Sequence, residues 1–136
     1  MIGPADIDRP EIVAEVRSAF EAYERALIGN DIEGLNTLFW DDGRTLRYGP
    51  RELLYSHAAI AEFRRARGPL DQRRCLANSR ITAFGNDVAT AHTEFVPQGG
   101  AQVGRTGRQS QTWIRTPVGW RIASAHVSFV EAPPPA

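Results

Sequence analysis

Residues 107–128 read GRQSQTWIRTPVGWRIASAHVS, and their pattern is the clearest indication of the fold. Polar and apolar residues alternate on both sides of Pro117-Val118, and a period of two residues indicates β-strands. A short turn between two such strands predicts an antiparallel hairpin in which Thr116 pairs with Gly119. The chain therefore ends in two strands that are neighbours in space as well as in sequence.

The register of this hairpin divides its side chains between two faces of a sheet. Counted from the turn, the pairs expected on one face are Trp113–Ile122, Gln111–Ser124 and Gln109–His126. That face is apolar near the turn and polar at the far end, which suits a pocket with a wet mouth. It suits a dimer interface equally well.

The rest of the chain changes period from helical to extended. Alternation predicts strands near 73–84 and 87–97 and a short strand from Arg44 to Gly49. Before them, apolar residues recur every three or four positions, which indicates an amphipathic helix. The members of that stripe are Val13, Val16, Phe20, Tyr23 and Leu27.

Three helix starts are readable from capping residues. We expect Asp8, Asp31 and Ser56 to cap three successive helices, because short polar side chains accept from the free N–H groups of a first turn. Helices followed by antiparallel strands predict an α+β domain. Its strongly curved sheet would wrap around the helices as a cone and leave a cavity for a small molecule.

The bulk composition predicts one cytoplasmic domain over residues 1–136, with a loose arm at 1–7 and a proline-rich tail at 131–136. The chain has neither a long apolar run nor a basic and then apolar signal region. All 16 basic residues are arginine and they balance 16 acidic residues, so no overall field attracts nucleic acid or a membrane. Arginine binds carboxylates through a planar fork, which favours a small anionic ligand.

Metal or thiol chemistry finds no support in the residue pattern. Cys75 is the only cysteine, which excludes an internal disulfide and a cysteine-based zinc site. His57 and His92 lack a partner at ligand spacing. We therefore expect neither a metal nor a cofactor.

Several motifs together resemble those of the AtzH-like proteins, a branch of the nuclear-transport-factor-2-like (SnoaL-like) superfamily related to the oxalurate-catabolism protein HpxZ. The resemblance runs from about Pro10 to Val130 and includes the hairpin stretch quoted above. The other motifs are YER at 23–25, LFW-DDG at 38–43, RYGPRELLY at 47–55 and FRRAR at 63–67.

The resemblance implies a hydrolase of nitrogen metabolism. The activity assigned to the family is a decarboxylating amidohydrolysis that turns 1,3-dicarboxyurea into allophanate during cyanuric acid breakdown. The family's proposed catalytic tyrosine and arginine fall on Tyr23 and Arg47. The resemblance also implies a homodimer, and a partner amidase, because these proteins are encoded beside one.

The two residues suit this chemistry. An N-carboxylated urea loses CO2 once its nitrogen is protonated and its other end is held still. Arg47 can clamp a carboxylate, and Tyr23 can donate a proton because a phenol with a pKa near ~10 stays protonated at neutral pH. The plainer interpretations are that Tyr23 packs in the core and that Arg47 is a solvated charge.

Five more residues are predicted to contact the substrate: Trp40, Arg73, Gln111, His126 and Ser128. His126 could also relay protons, since its unperturbed pKa is near ~6.5, or be a hydrogen-bonded core histidine. Strand alternation sends one of Arg73 and Arg74 inward. The arginine run at 64–67 is expected on a solvated helix face, and Glu52 is expected to be exposed.

Two other functions stay open at this point. One is a non-catalytic accessory that binds a partner amidase. The other is an isomerase or dehydratase acting on an apolar ring, which needs a carboxylate base in the pocket. Glu94, on a predicted central strand, is the candidate for that base.

Overall fold

The computed structural model describes residues 1–131 and consists of three α-helices packed on one face of a six-stranded sheet. The helices are α1 (Pro10–Ile28), α2 (Ile32–Leu38) and α3 (His57–Arg67), preceded by a 3₁₀ turn at Pro4–Asp6. The strands are β1 (Leu46–Tyr48), β2 (Leu53–Tyr55), β3 (Arg74–Phe84), β4 (Val88–Pro97), β5 (Gly107–Thr116) and β6 (Gly119–Phe129). The predicted α+β class is confirmed. Of the helices described, none is long and apolar enough to cross a bilayer.

The strand order is β2-β1-β6-β5-β4-β3. Strands β3 to β6 form an antiparallel meander, whereas β1 joins β6 in parallel and β2 folds back on β1. The short strand β2 was not expected from the sequence. The parallel junction places Arg47 beside Ala125, a residue of the buried core.

The core lies between the helices and the turn end of the β5–β6 hairpin. The stripe of α1 packs there, and Val16 is fully buried. Trp113 and Ile122 meet it from the sheet and are also fully buried. Large apolar side chains therefore fill the narrow end of the cone and leave its opposite end to polar residues.

Two of the predicted helix caps are confirmed. The backbone N–H of Gly34 donates to the Asp31 carboxylate, and that of Ala59 donates to the Ser56 hydroxyl. Both side chains satisfy donors that the first turn of a helix leaves free.

The third predicted cap, Asp8, is wrong. Its carboxylate accepts a hydrogen bond from the N–H of Ala83 at 2.8 Å, and Arg9 holds the capping position of α1. Ile7 also bridges Phe84. The segment 1–7, expected as a loose arm, is therefore tied to β3. The expected tail at 131–136 lies outside the described residues from position 132 onward.

A β-bulge interrupts the last hairpin. The two pairs nearest the turn, Thr116–Gly119 and Trp113–Ile122, form as predicted. The register then shifts by one residue between Thr112 and Trp113. The pairs that follow are Gln111–Ala125 and Gln109–Val127. The two predicted pairs at the polar end are wrong, because the extra residue of the bulge turns His126 to the outer face of the sheet.

Candidate functional site

A small polar cavity of about 50 Å³ lies between α1, α3 and the inner face of the sheet. The side chains that matter to its chemistry are Tyr23, Arg47, Arg64, Arg67, Arg74 and Gln109. One water needs about 10–15 Å³, so the cavity as it stands holds a few waters.

Tyr23 serves both the core and the cavity. It lies on the buried stripe of α1 with 3% exposure, and its ring centroid is 6.3 Å from that of Phe39. No group within residues 1–131 hydrogen-bonds its hydroxyl, although the residue lines the cavity. The core interpretation and the functional interpretation therefore describe two parts of one side chain.

Arg47 points into the cavity from β1, so its interpretation as a solvated charge is wrong. Its side chain is 14% exposed, and Nη1 donates to Glu52 Oε1 at 2.9 Å. Glu52, expected to be exposed, is 18% exposed and half-buried by this pairing. A Cβ on Gly49 would lie 1.9 Å from Glu52 Oε1, so the glycine of the RYG motif makes room for the ion pair.

The arginine run at 64–67 was predicted to face solvent, which is wrong for two of its members. Arg64 is 4% exposed, lies 4.6 Å over the ring of Phe39 and donates to Asn36 Oδ1 at 3.1 Å. Arg67, one turn further, is half-buried at the same cavity. The spacing of the two from Ile60, four and seven residues on, is the signal that could have placed both on the inner face.

These two guanidiniums have no carboxylate partner within residues 1–131. Burial lowers the pKa of Arg64 to about 10, and the nearby charges of Arg47 and Arg67 act in the same direction. Burial, and after it the charge of Arg47, also lowers the pKa of Arg67. Buried cations without partners are costly, and an anion in the cavity would offset that cost.

Strand alternation sends Arg74, and not Arg73, into the cavity. Arg73 is exposed and pairs with Asp71, so the prediction that it contacts the substrate is not supported by its position. Arg74 forms a buried ion pair with Glu24, and its Nη2 donates to Gln109 Oε1 at 3.0 Å. Gln109 was predicted on the pocket face of the hairpin, and Glu24 lies in the YER motif, but neither was predicted to have a role.

The charges around the cavity do not balance. Four arginines, at positions 47, 64, 67 and 74, face two paired carboxylates, Glu24 and Glu52, which leaves a surplus of two positive charges. Arginine forks bind carboxylates in a bidentate manner. The cavity therefore presents two guanidiniums, those of Arg64 and Arg67, that no carboxylate of the described chain neutralises.

The bulge separates residues that were expected to share a face. Gln111 points inward, is 1% exposed and accepts from the Trp113 indole N–H at 3.0 Å. His126 is exposed on the outer face, edge-on to Tyr48 at 5.8 Å, so both its core and pocket interpretations fail. Ser128 accepts from Arg108 Nε at 2.9 Å on that outer face.

Trp40 lies away from the arginine cavity. It lines a separate groove of about 580 Å³ near the β5–β6 turn, with the Arg44 guanidinium 5.0 Å from its ring centroid. Glu94, the candidate base for an isomerase, is exposed and accepts from Asn78. Within residues 1–131, no three His, Cys, Asp or Glu side chains come together to hold a metal ion.

Comparisons with known proteins agree with this architecture. A protein of unknown function of the DUF3225 family from Pectobacterium atrosepticum is 44% identical, with 96% of this chain and 100% of that chain covered and a TM-score of 0.91. A cystatin-like fold protein from Burkholderia xenovorans is 43% identical, with 93% and 98% covered and a TM-score of 0.84. No curated protein matches the sequence.

More distant structures share the fold alone. An NTF2-like protein of unknown function from Pseudomonas putida is 18% identical, with 94% of this chain and 89% of that chain covered and a TM-score of 0.72. The model of the AtzH-like family matches residues 5–133, nearly the whole chain. This chain, which has an NTF2-like fold and an arginine-rich cavity between its helices and its sheet, belongs to the AtzH-like family.

Proposed function

We propose that this protein is a hydrolase that decarboxylates 1,3-dicarboxyurea, or a related N-carboxylated urea, to allophanate. The observation that supports the proposal is the surplus of two positive charges beside Tyr23 and Arg47. The proposed substrate carries two carboxylates, and Arg64 and Arg67 are two guanidiniums without carboxylate partners in the described chain.

The proposed reaction needs a clamp and a proton donor. Arg47, Arg64 and Arg67 bind the two carboxylates of the substrate and fix the orientation of the urea. When the bond between nitrogen and the departing carboxyl carbon breaks, CO2 leaves and the electron pair stays on the urea. The Tyr23 phenol donates its proton to that nitrogen, and solvent water restores the phenol. The arginines stabilise the negative charge that spreads onto the urea oxygen.

The test follows CO2 and allophanate release when the purified chain meets freshly prepared 1,3-dicarboxyurea, measured against the spontaneous rate. We expect the protein to accelerate product release. The rate should saturate with substrate concentration and should fall when an excess of a non-reacting dicarboxylate is added. A rate equal to the spontaneous one at micromolar protein would rule out this reaction and favour the accessory role. A pull-down with the amidase would then be the next measurement, since that partner and the homodimer stay predictions.

A further inference from the structure

Gln109 carries a donor that the protein leaves unused. The residue is 2% exposed at the wall of the arginine cavity, and its Nε2 has no hydrogen-bond partner in the described chain. A buried donor without an acceptor has given up its hydrogen bonds to water without replacement, so proteins rarely keep one without a reason. Because the residue that carries this donor lines a cavity of surplus positive charge, an acceptor that enters the cavity can supply the missing hydrogen bond.

The orientation of the Gln109 amide follows from its neighbour. Arg74 Nη2 donates to Gln109 Oε1 at 3.0 Å, and a guanidinium can only donate. The amide oxygen is therefore fixed on Arg74, and the NH2 group takes the remaining direction. Glu24 holds Arg74 in place through a buried ion pair, so three residues on three elements fix a neutral donor at the cavity wall.

Gln111, two residues along the same strand face, shows that an unpaired amide alone is not a site. Its Oε1 accepts from Trp113 and its Nε2 is also unpartnered, but it does not line the cavity. Gln109 differs because it combines the free donor with the cavity and with the cationic clamp. The two glutamines therefore provide their own comparison.

We propose that Gln109 is a ligand-binding and specificity-determining residue whose amide NH2 donates to the neutral carbonyl oxygen of a dianionic urea acid. The arginines take the carboxylates, which are charged, and the amide takes the oxygen between them, which is not. The inference rests on the proposed function for its ligand class. It adds that the site distinguishes a diacid with a central carbonyl from one without.

Two diacids of equal chain length isolate this contact. Freshly dissolved 3-oxoglutarate has a carbonyl between two carboxymethyl groups, and glutarate has a methylene in the same place. Calorimetric titration at fixed ionic strength should give the wild-type protein a Kd for 3-oxoglutarate about tenfold lower than for glutarate, the worth of one buried hydrogen bond. The ratio of the Kd for glutarate to the Kd for 3-oxoglutarate, expected to be about ten, removes the charge effects that both diacids share.

Gln109→Glu replaces only the unpaired NH2 by oxygen and keeps an acceptor for Arg74, so we expect a folded protein whose Kd ratio falls to about one or below. Gln109→Met, which removes the amide without adding charge, should bring the ratio to about one. The control is Gln98→Glu, which adds the same charge at an exposed position and should keep the tenfold preference.

Equal binding of the two diacids by the wild-type protein, or an unchanged ratio in both Gln109 variants, would overturn the inference while leaving the dianion clamp in place. Binding of neither diacid would overturn both the clamp and the inference. A tenfold ratio that depends on Gln109 in a protein without turnover would support the inference and reject the proposed reaction. The outcomes therefore separate the two proposals.

Discussion

Tyr23 shows how one residue can satisfy packing and chemistry together. Its ring is part of the α1 core stripe, and its hydroxyl has no protein partner in residues 1–131. Tyr23→Phe should therefore fold with a melting temperature close to that of the wild type. If Tyr23 donates the proton, kcat should fall about 100-fold or more. Steady-state kinetics beside a thermal melt tests this, and retained turnover would remove Tyr23 from the mechanism.

Arg47 is expected to act through the shape of its guanidinium. Arg47→Lys keeps the charge and can still pair with Glu52, but an ammonium cannot form a bidentate contact with a carboxylate. We expect a folded protein whose kcat/KM for the carboxylated urea falls about tenfold or more. Kinetics at two ionic strengths gives the measurement. An unchanged kcat/KM would show that only the charge, or neither property, matters.

Helix α3 carries the strongest contrast between neighbouring residues. Arg64 is buried and has no carboxylate partner within residues 1–131, whereas Arg65 is exposed and pairs with Glu62. Arg64→Met should raise the stability of the ligand-free protein by about 1–3 kcal/mol, because it removes a desolvated charge next to like charges. The same variant should lose affinity for dicarboxylates.

Arg65→Met is the matched control for that experiment. It removes a solvent-exposed ion pair on the same helix, so its free energy of unfolding and its ligand affinity should both stay close to those of the wild type. Chemical denaturation and calorimetry report both quantities. A destabilised Arg64→Met protein would show that the contacts with Phe39 and Asn36 outweigh the cost of burial.

Strand β5 begins at Gly107, which leaves room for a ring that packs against a cavity arginine. A Cβ on Gly107 would lie 2.2 Å from Cζ of Phe95, whose ring supports the Arg74 guanidinium at 4.5 Å. Gly107→Ala should therefore cost about 1–3 kcal/mol and weaken dicarboxylate binding, since Phe95 and then Arg74 must shift. Gly43→Ala, whose Cβ would meet nothing within 4 Å, should change neither. Equal effects in the two variants would contradict this account.

At the scale of the whole molecule, the cone divides its interior by polarity. The narrow end is filled by large apolar side chains such as Trp113 and Ile122, and the other end keeps four arginines around a small cavity. A fold that holds surplus cations inside is stabilised by whatever neutralises them. Ligand binding and folding are therefore expected to be coupled in this protein.

That coupling is measurable as a thermal shift. At 100 times its Kd, glutarate should raise the free energy of unfolding by about 2.7 kcal/mol. Added sodium chloride should reduce the shift, because salt screens the partly buried charges. The Arg64→Met variant should show a smaller shift than Arg65→Met. A shift of the same size with acetate at equal ionic strength would argue against a site for dianions.

Much of the fold was predictable because its signals are local. The alternation in 107–128 and the stripe of α1 each follow from one repeating period. The caps at Asp31 and Ser56 depend on contacts three residues apart. Strand β2 was missed because three residues are too few to show a period. The placement of Tyr23 and Arg47 at one cavity followed from motif resemblance and agrees with the geometry.

The composition of the site was less predictable. Arg64 and Arg67 were expected in solvent, because arginine on an amphipathic helix is normally found there. Their spacing from Ile60 could have placed both on the inner face of α3, but their burial also depends on what the sheet places opposite them. His126 and Ser128 were assigned to the pocket face because a hairpin register was extended without interruption. One extra residue in a strand reverses the face of every residue beyond it.

Sequence alone was enough to derive the α+β class, two of the helix caps and the pairs next to the hairpin turn. Each of these features depends on hydrogen bonds and side-chain periods within a few residues. Three features became visible only in the folded molecule: the bulge in β6, the inward direction of the arginines and the Gln109 Nε2 without a partner in the described chain. These depend on which surfaces meet across the cone. Whether a charge or an amide is buried, and with what partner, is set by residues far away in the chain.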